Sequence, residues 1–214
     1  MGKSILMSIQ PRWVAEILNG NKTIEVRKKF PKDYVGWVYI YCTKDQGYNG
    51  ENQIVRNIKT KEYSIWGDLE SYNANDIRSG YNGLVLARFW CDKVSVVERY
   101  CGTFIPIDGY TTFLDKRYSY QGLKEATCLN DEEIFKYLGH KNGYAIHISK
   151  LEVFDKPKEL KEFKHWVEVW VYCGMDCPPY VDDELRPVYT APQSWCYIYD
   201  KGQYVWTILK QVMK

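Results

Sequence analysis

The sequence is divided into short β-rich segments, and few of its apolar patterns are long enough for a helix. Asn-Gly and Asp-Gly pairs lie between the segments and favour tight turns or loops. These pairs begin at Asn49, Asn82, Asp108 and Asn142. Six segments alternate apolar and polar residues or are rich in β-branched and aromatic side chains: residues 4–9, 23–26, 36–43, 83–97, 143–149 and 203–209. The pattern predicts a mainly β fold of the α+β type.

A few helices are predicted between the strand-like segments. Residues 11–19 place apolar side chains on one stripe, with Pro11 in the first turn and Gly20 after the end. A second helix is predicted from Asn130 or Asp131 to Tyr137, where Gly139 would end it. Weaker patterns favour short helical turns over residues 121–127 and 158–164.

The length of the chain favours one elaborated domain. The 214 residues exceed the size of an average domain by less than half, and no repeat or low-complexity tract divides them. We therefore expect a single domain over residues 1–214. Two insertions are predicted in it, a polar and partly helical one around residues 44–80 and a second around residues 165–190.

Charge and motif content exclude several classes of function. Lys and Arg number 29 and Asp and Glu 27, so the net charge of +2 excludes a binder that works by bulk charge. No apolar run approaches the ~18 residues of a membrane span, so we expect no membrane contact. The P-loop, the dinucleotide fingerprint and the common hydrolase motifs are missing. No secretory signal is readable and the seven cysteines suit free thiols, so we expect a cytoplasmic protein.

The densest chemical signal is a local basic stripe after the first predicted helix. Residues 20–32 hold five basic residues and one acid, Glu25. If residues 23–27 form a strand, Thr23, Glu25 and Arg27 face one side. The carboxylate can then hold the guanidinium still for a planar anionic or carbonyl partner, with Lys22 beside them. The alternative is a purely structural role, in which Glu25 and Arg27 form a partly buried ion pair next to solvated lysines such as Lys28.

Several motifs together resemble a known family. They are residues 6–11 (LMSIQP), the pattern G-x-K-x-x-E-x-R over residues 20–27, then Pro31, residues 38–41 (VYIY), 144–148 (YAIHI) and 191–195 (APQSW). In this order they resemble the ASCH domain of the PUA-like superfamily, with the last motif similar to phage-type members. Residues 44–80 and 100–140 carry no motif of the family.

The resemblance implies a PUA-like β-barrel with a few helices packed across it and a cleft between the first helix and the barrel. Relatives of this kind handle RNA, and some recognise or hydrolyse modified nucleobases. For this chain, the resemblance implies binding of RNA or of a modified nucleobase or nucleotide. The residues implied at the cleft are Lys22, Glu25, Arg27 and Lys28, with Gln193, Ser194 and Trp195 approaching from the opposite side. An amide and a hydroxyl can read a base edge, and an indole can stack on a base.

The resemblance also leaves an enzyme open as an alternative. The protein would then be a hydrolase of a nucleoside or RNA, similar to acetylcytidine amidohydrolases or to a ribonuclease, with Lys22 and Glu25 as catalytic residues. In the amidohydrolases, catalysis resembles a Lys-Thr-Glu arrangement in which a threonine stands three residues after the lysine. In this sequence that position holds Glu25. Thr23 lies nearby and is expected to project beside Glu25. Sequence alone does not decide between the two functions.

A metal site and a protein interface are weaker candidates. Cys173 and Cys177 are closely spaced and His165 precedes them, but a closed zinc site needs a fourth ligand that the pattern does not supply. We therefore predict neither a metal nor another cofactor. The 19 tyrosines could instead form a surface for a protein partner, although sequence does not separate exposed from buried rings.

Overall fold

A computed structural model describes residues 3–45, 47–100, 103–107, 120–171 and 180–199. Its strands are β1 (Ser4–Ile9), β2 (Ile24–Arg27), β3 (Gly36–Cys42), β4 (Ile54–Asn57), β5 (Tyr63–Ile65), β6 (Ile77–Arg78), β7 (Val85–Cys91), β8 (Val94–Tyr100), β9 (Thr103–Ile107), β10 (Gly143–His147), β11 (Lys150–Lys158), β12 (Lys164–Val171), β13 (Tyr180–Pro187) and β14 (Trp195–Ile198). Its α-helices are α1 (Pro11–Leu18), α2 (Tyr120–Thr127) and α3 (Asp131–Leu138). The expected mainly β fold with a few helices is confirmed.

The described strands form four sheets. The largest has the order β11-β7-β3-β1-β14, a second has the order β2-β10-β8-β9, and the smaller ones are β5-β4-β6 and β12-β13. Among the described strands β1 and β3 pair in parallel, with Ile9 opposite Cys42, and the other pairs are antiparallel. No closed barrel is found in the described part of the chain. The strands therefore form open sheets where the resemblance implied a closed barrel.

Helix α1 covers one face of the five-stranded sheet. It begins at Pro11, because proline lacks the N–H that a first helical turn leaves unpaired. Its Val14, Ala15 and Ile17 are buried in the core cluster that also holds residues of β1, β3 and β7. The chain leaves the helix through Gly20, whose φ of 80° lies in the left-handed region that favours glycine.

Helices α2 and α3 cover the four-stranded sheet. Leu123 of α2 and Ile134 and Leu138 of α3 pack against strand residues such as Val26 and Ala145. A capping box fixes the start of α3: the Asn130 side chain accepts from the Glu133 N–H, and the Glu133 carboxylate accepts from the Asn130 N–H. The predicted helices over residues 11–19 and 130–137 are thus present.

The insertion around residues 44–80 differs from its prediction. It contains three 3₁₀ turns, but its main structure is the sheet of β4, β5 and β6. Ile54, Tyr63 and Ile65 lie in the core beside α1, and the Asn19 side chain exchanges hydrogen bonds with the Tyr63 backbone. The prediction missed this sheet because its strands have only two to four residues, too few to show a periodicity.

One further prediction is corrected. The helix over residues 158–164 is replaced by the end of β11 and a 3₁₀ turn, Leu160–Glu162.

The second insertion contains the antiparallel pair of β12 and β13, in which His165 lies opposite Arg186. The predicted strand over 203–209 and the two cysteines Cys173 and Cys177 lie outside the described residues. None of the described helices has the length and apolar character that crossing a membrane requires.

Candidate functional site

The two parallel strands end at a cavity of about 660 Å³. The chain after β1, at Gln10, and the chain after β3, at Thr43 and Asp45, form one side of it. The start of α1, strand β2 and helix α3 form the rest. We call this space the Lys22 cavity.

Glu25 lies between two cations on the wall of the Lys22 cavity. Its Oε1 is 3.1 Å from Arg27 Nη2, and its Oε2 is 3.5 Å from Lys22 Nζ. The relative exposure of Lys22 is 2% and that of Glu25 is 6%, so the pairs are largely shielded from solvent. Buried charges require such partners, since an unpaired ion in a protein interior is strongly destabilising. The predicted Lys22, Glu25 and Arg27 constellation is therefore one connected ion cluster.

Backbone carbonyls accept hydrogen bonds from both the main-chain N–H and the side-chain ammonium of Lys22. Its N–H donates to the Glu16 carbonyl at the end of α1, and its ammonium donates to the Thr127 carbonyl at 2.6 Å. The ammonium also lies 5.3 Å from the centroid of the Trp13 ring. Burial lowers the pKa of Lys22, and the nearby Glu25 carboxylate partly opposes this effect. Lys22 is consequently a buried cation of the cavity wall rather than an exposed one on a rim.

Arg27 is held by the end of β1 as well as by Glu25. Its Nη2 donates to the Ser8 carbonyl at 2.6 Å. Arg27 Nη2 thus contacts both a strand carbonyl and a carboxylate, and these two contacts orient the guanidinium. Its Nε is buried and has no hydrogen-bond partner among the described residues.

The late motif over residues 191–195 reaches the cavity only in part. Ser8 Oγ donates to the Pro192 carbonyl and the Ser8 N–H to the Ser194 carbonyl, which attaches this segment to β1. Gln193 lines the Lys22 cavity, so residues from both ends of the chain meet there. Ser194 and Trp195 are not among the lining residues.

The Trp195 ring packs against the core instead of facing the cavity. Its Nε1 donates to the Lys29 carbonyl at 2.7 Å, and its ring lies edge-on to Phe30 at 5.6 Å between centroids. Trp195 opens β14 opposite Met7, and this register determines which way the indole projects. The base-stacking role that the resemblance implied for Trp195 therefore has no support in its position.

Sequence reasoning missed one wall of the cavity, which α3 supplies. Glu133, Lys136 and Tyr137 line it, and their spacing of three and four residues puts them on one helix face. The available signal was the amphipathic pattern of α3, whose Ile134 and Leu138 are buried on the other face. Tyr137 is 36% exposed.

Lys28 lies beside this wall without lining the cavity. Its Nζ is 5.2 Å from the Tyr137 ring centroid, and the residue is exposed. Lys29 and Lys32, the next basic residues of the stripe, are exposed too. The stripe therefore continues from the buried ion cluster to the protein surface next to Tyr137.

Thr23 faces a different cavity from Glu25, contrary to the prediction from alternation. It lines a space of about 700 Å³ together with Asp92, Glu125 and His147, which we call the Thr23 cavity. The strand β2 begins only at Ile24, so the alternation of its side chains does not extend to Thr23. The hydroxyl group that shares the Lys22 cavity with the ion cluster and lacks a described partner belongs to Thr43.

Comparison with known proteins gives structural likenesses alone. No protein-family model matches the sequence, and no curated protein is significantly similar to it. The structure is similar to the crystal structure of ASCH from Zymomonas mobilis, with 13% identity, a TM-score of 0.49 and coverage of 97% of this chain and 95% of that one. A serine-to-alanine mutant of that protein gives 14% identity, a TM-score of 0.49 and coverage of 97% and 96%. A tyrosine-to-phenylalanine mutant gives 12% identity, a TM-score of 0.43 and coverage of 74% and 76%.

Proposed function

We propose that the protein binds single-stranded RNA or a modified nucleobase in the Lys22 cavity. The observation that carries this proposal is the buried cluster of Lys22, Glu25 and Arg27, which shares one cavity with Gln193 from the far end of the chain. Evolved sites for small ligands have volumes of roughly 300 to 1,000 Å³ and a few fixed polar groups. The cavity fits this description, and the amide of Gln193 is suited to reading a base edge.

Two aromatic residues give the cavity surfaces for a base. Trp13 of α1 and Tyr137 of α3 both line it, and they come from different helices. Stacking on an aromatic side chain contributes roughly 1 to 3 kcal/mol per base in single-strand binding proteins. Tyr137 is the better candidate, because it is exposed and its ring meets one cation, Lys28 at 5.2 Å, whereas Trp13 is half-buried and its ring meets two, Arg12 at 4.5 Å and Lys22 at 5.3 Å.

The distribution of charge favours a neutral base inside and phosphates outside. The charged residues that line the cavity are balanced, with three cations and three acids: Lys22, Arg27, Lys136, Glu25, Asp45 and Glu133. A phosphate placed among them would meet as many carboxylates as cations. Lys28 is exposed beside Tyr137 and suits a phosphate contact next to the cavity, and Lys29 and Lys32 continue the stripe as further exposed cations.

The test is a titration of short single-stranded RNA and DNA at increasing salt. If about three phosphates are contacted, the logarithm of the association constant falls against the logarithm of salt concentration with a slope near −2. Lys28→Ala should make the slope shallower by about 0.7. The exposed Lys156 on β11 offers the control, since Lys156→Ala should leave the slope unchanged. Absence of salt-sensitive binding to either nucleic acid at low ionic strength would overturn the proposal.

A hydrolase is the second candidate function, and the environment of Lys22 favours it. Desolvation lowers the pKa of Lys22, so its ammonium gives up a proton more readily than an exposed lysine, and an amine beside a carboxylate can move a proton to or from a bound substrate. Incubation with acetylcytidine and with RNA, followed by mass spectrometry, tests this function. Turnover that persists in the Lys22→Ala, Glu25→Gln double variant would exclude the assigned roles.

A further inference from the structure

A row of aromatic and basic residues leads from the Lys22 cavity onto the protein surface. It starts at Tyr137, which lines the cavity and whose ring centroid is 5.2 Å from Lys28 Nζ. The next residue in the chain is Lys29, and its carbonyl accepts a 2.7 Å hydrogen bond from Trp195 Nε1. Each member of this part of the row therefore contacts the one before it or directly follows it in sequence.

The row continues along β14, the last strand of the five-stranded sheet. Trp195 and Tyr197 are two residues apart on this strand, so their side chains project from the same face. Their ring centroids are 5.5 Å apart, and the Lys3 ammonium is 5.2 Å from the centroid of the Tyr197 ring. We call the whole row the β14 track, and its members are Tyr137, Lys28, Lys29, Trp195, Tyr197 and Lys3.

Both ends of the β14 track are accessible to a ligand. Tyr137 is 36% exposed and Tyr197 is 37% exposed, and all three lysines of the track are exposed as well. Trp195 is half-buried, and its contacts with Lys29 and Tyr197 hold the two ends of the track together. Single apolar side chains are common on protein surfaces, whereas exposed rings in a connected row indicate an interaction surface.

The chemistry of the β14 track fits single-stranded nucleic acid. Proteins that bind single strands combine aromatic side chains, on which bases stack, with cations that follow the phosphate backbone. The track has both kinds of residue in contact with each other, and none of its members is acidic. Lysine is depleted in protein–protein interfaces, so the same composition argues against a protein partner.

We propose that the β14 track binds the part of a single-stranded RNA that extends beyond the Lys22 cavity, with a base against Tyr197 and a phosphate at Lys3. This inference rests on the proposed function and specifies its ligand as a strand of several nucleotides rather than a free nucleobase. The resemblance implied neither Tyr197 nor Lys3 as a binding residue.

The experiment compares the binding of a uridine dinucleotide, which is short enough for the cavity and Lys28, with that of an oligouridylate of about eight nucleotides. The unaltered protein should bind the longer probe more tightly. Tyr197→Ala should weaken binding of the longer probe about 5- to 10-fold and leave dinucleotide binding unchanged, because only the longer probe reaches this ring. Tyr197→Phe keeps the ring and should behave like the unaltered protein.

Lys3→Ala gives a second readout that does not depend on stacking. Lys3 is exposed and precedes β1, so its loss removes a charge and leaves the strand intact. For the longer probe, the slope of the logarithm of the association constant against the logarithm of salt concentration should become shallower by about 0.7. For the dinucleotide the slope should not change.

Tyr72→Ala is the matched control. Tyr72 is 49% exposed and its ring lies 4.7 Å from that of Trp66, much as Tyr197 lies beside Trp195, but it belongs to the 44–80 insertion. Its loss should alter the affinity for neither probe. Thermal melting of each variant shows whether it is folded at the temperature of the titration.

The inference would be overturned if the preference for the longer probe survived in both Tyr197→Ala and Lys3→Ala, or if Tyr197→Ala weakened both probes equally. Equal binding of the two probes by the unaltered protein would overturn it too. A Tyr197→Ala variant with a changed oligomeric state but unchanged RNA binding would make the track a protein interface instead. In each of these cases the proposed function stands if the unaltered protein binds either probe with the expected salt dependence. Failure of both probes to bind would remove the proposed function itself.

Discussion

The ammonium of Lys22 donates a 2.6 Å hydrogen bond to the carbonyl of Thr127, 105 residues later in the chain. This contact joins the turn after α1 to the last residue of α2. The same ammonium is 3.5 Å from Glu25. Lys22 therefore connects α2, which covers the four-stranded sheet, to the ion cluster. The wall of the Lys22 cavity depends on this connection.

Replacing Lys22 should destabilise the fold as well as alter the site. In Lys22→Met the Thr127 carbonyl loses its donor and Glu25 loses one of two cations, and breaking a buried pair typically costs about 3 to 5 kcal/mol. We expect a loss near 3 kcal/mol, since Arg27 still pairs with Glu25. Urea denaturation measures it. Lys29→Met is the control, because Lys29 is exposed in the same stripe. A loss no larger than in the control would contradict the role of the Thr127 contact.

The stability of the protein should fall in alkaline solution because of its buried thiols. Burial raises the pKa of Cys42 and of Cys91 to about 12, against 9.0 for a free thiol. Above pH 9 the unfolded chain releases these protons while the folded chain keeps them, so the unfolded state binds fewer protons and stability falls. The contribution is complete below pH 9 and is lost as the pH rises towards 12. A fully titrating thiol changes the free energy of unfolding by about 1.4 kcal/mol per pH unit.

Urea denaturation at about pH 8 and about pH 10.5 tests this dependence. The Cys42→Ala variant should lose less stability over this interval than the unaltered protein, because one of the thiols is gone. Lys22 acts in the opposite direction. Its lowered pKa means that the unfolded chain binds more protons between that pKa and 10.5, so this residue adds stability as the pH rises. An equal pH dependence in Cys42→Ala would show that its thiol is not responsible.

Much of the first forty residues could be predicted because their signals are local. Strands β1 and β3 and helix α1 follow apolar patterns that their own residues display, and each is buried as predicted. The proximity of Lys22, Glu25 and Arg27 was predictable for the same reason, since they are two to five residues apart.

The remaining parts of the site depend on contacts that no local pattern encodes. Thr127 was not predictable as the partner of Lys22, because a backbone carbonyl carries no sequence signal. The orientation of Trp195 follows from the register of β14 on β1, and a shift by one residue would reverse it. Long-range packing determined both, while the pattern of α3 could have indicated Tyr137.

The capping box of α3 should contribute to both stability and ligand binding. Asn130→Ala removes the side chain that accepts from the Glu133 N–H at 2.9 Å, and loss of such a cap costs about 1 kcal/mol. Because α3 carries Lys136 and Tyr137, a frayed first turn should also weaken oligonucleotide binding. Thermal melting and the titration measure the two effects. Asn75→Ala, at an exposed asparagine of the 44–80 insertion, should change neither. Unaltered stability in Asn130→Ala would contradict the cap.

Tyr137 should provide the stacking surface that the resemblance assigned to Trp195. Tyr137→Ala removes an exposed ring at the cavity and should weaken binding of single-stranded RNA about 5- to 150-fold, which corresponds to roughly 1 to 3 kcal/mol of stacking. Tyr137→Phe keeps the ring and should retain most of the affinity. Phe135→Ala is the control, since Phe135 is 40% exposed on the same helix but does not line the cavity. The slope of the salt dependence should stay unchanged in Tyr137→Ala, because the ring contacts no phosphate. Equal losses in Tyr137→Ala and Phe135→Ala would mean that damage to α3, and not a lost stacking contact, weakens binding.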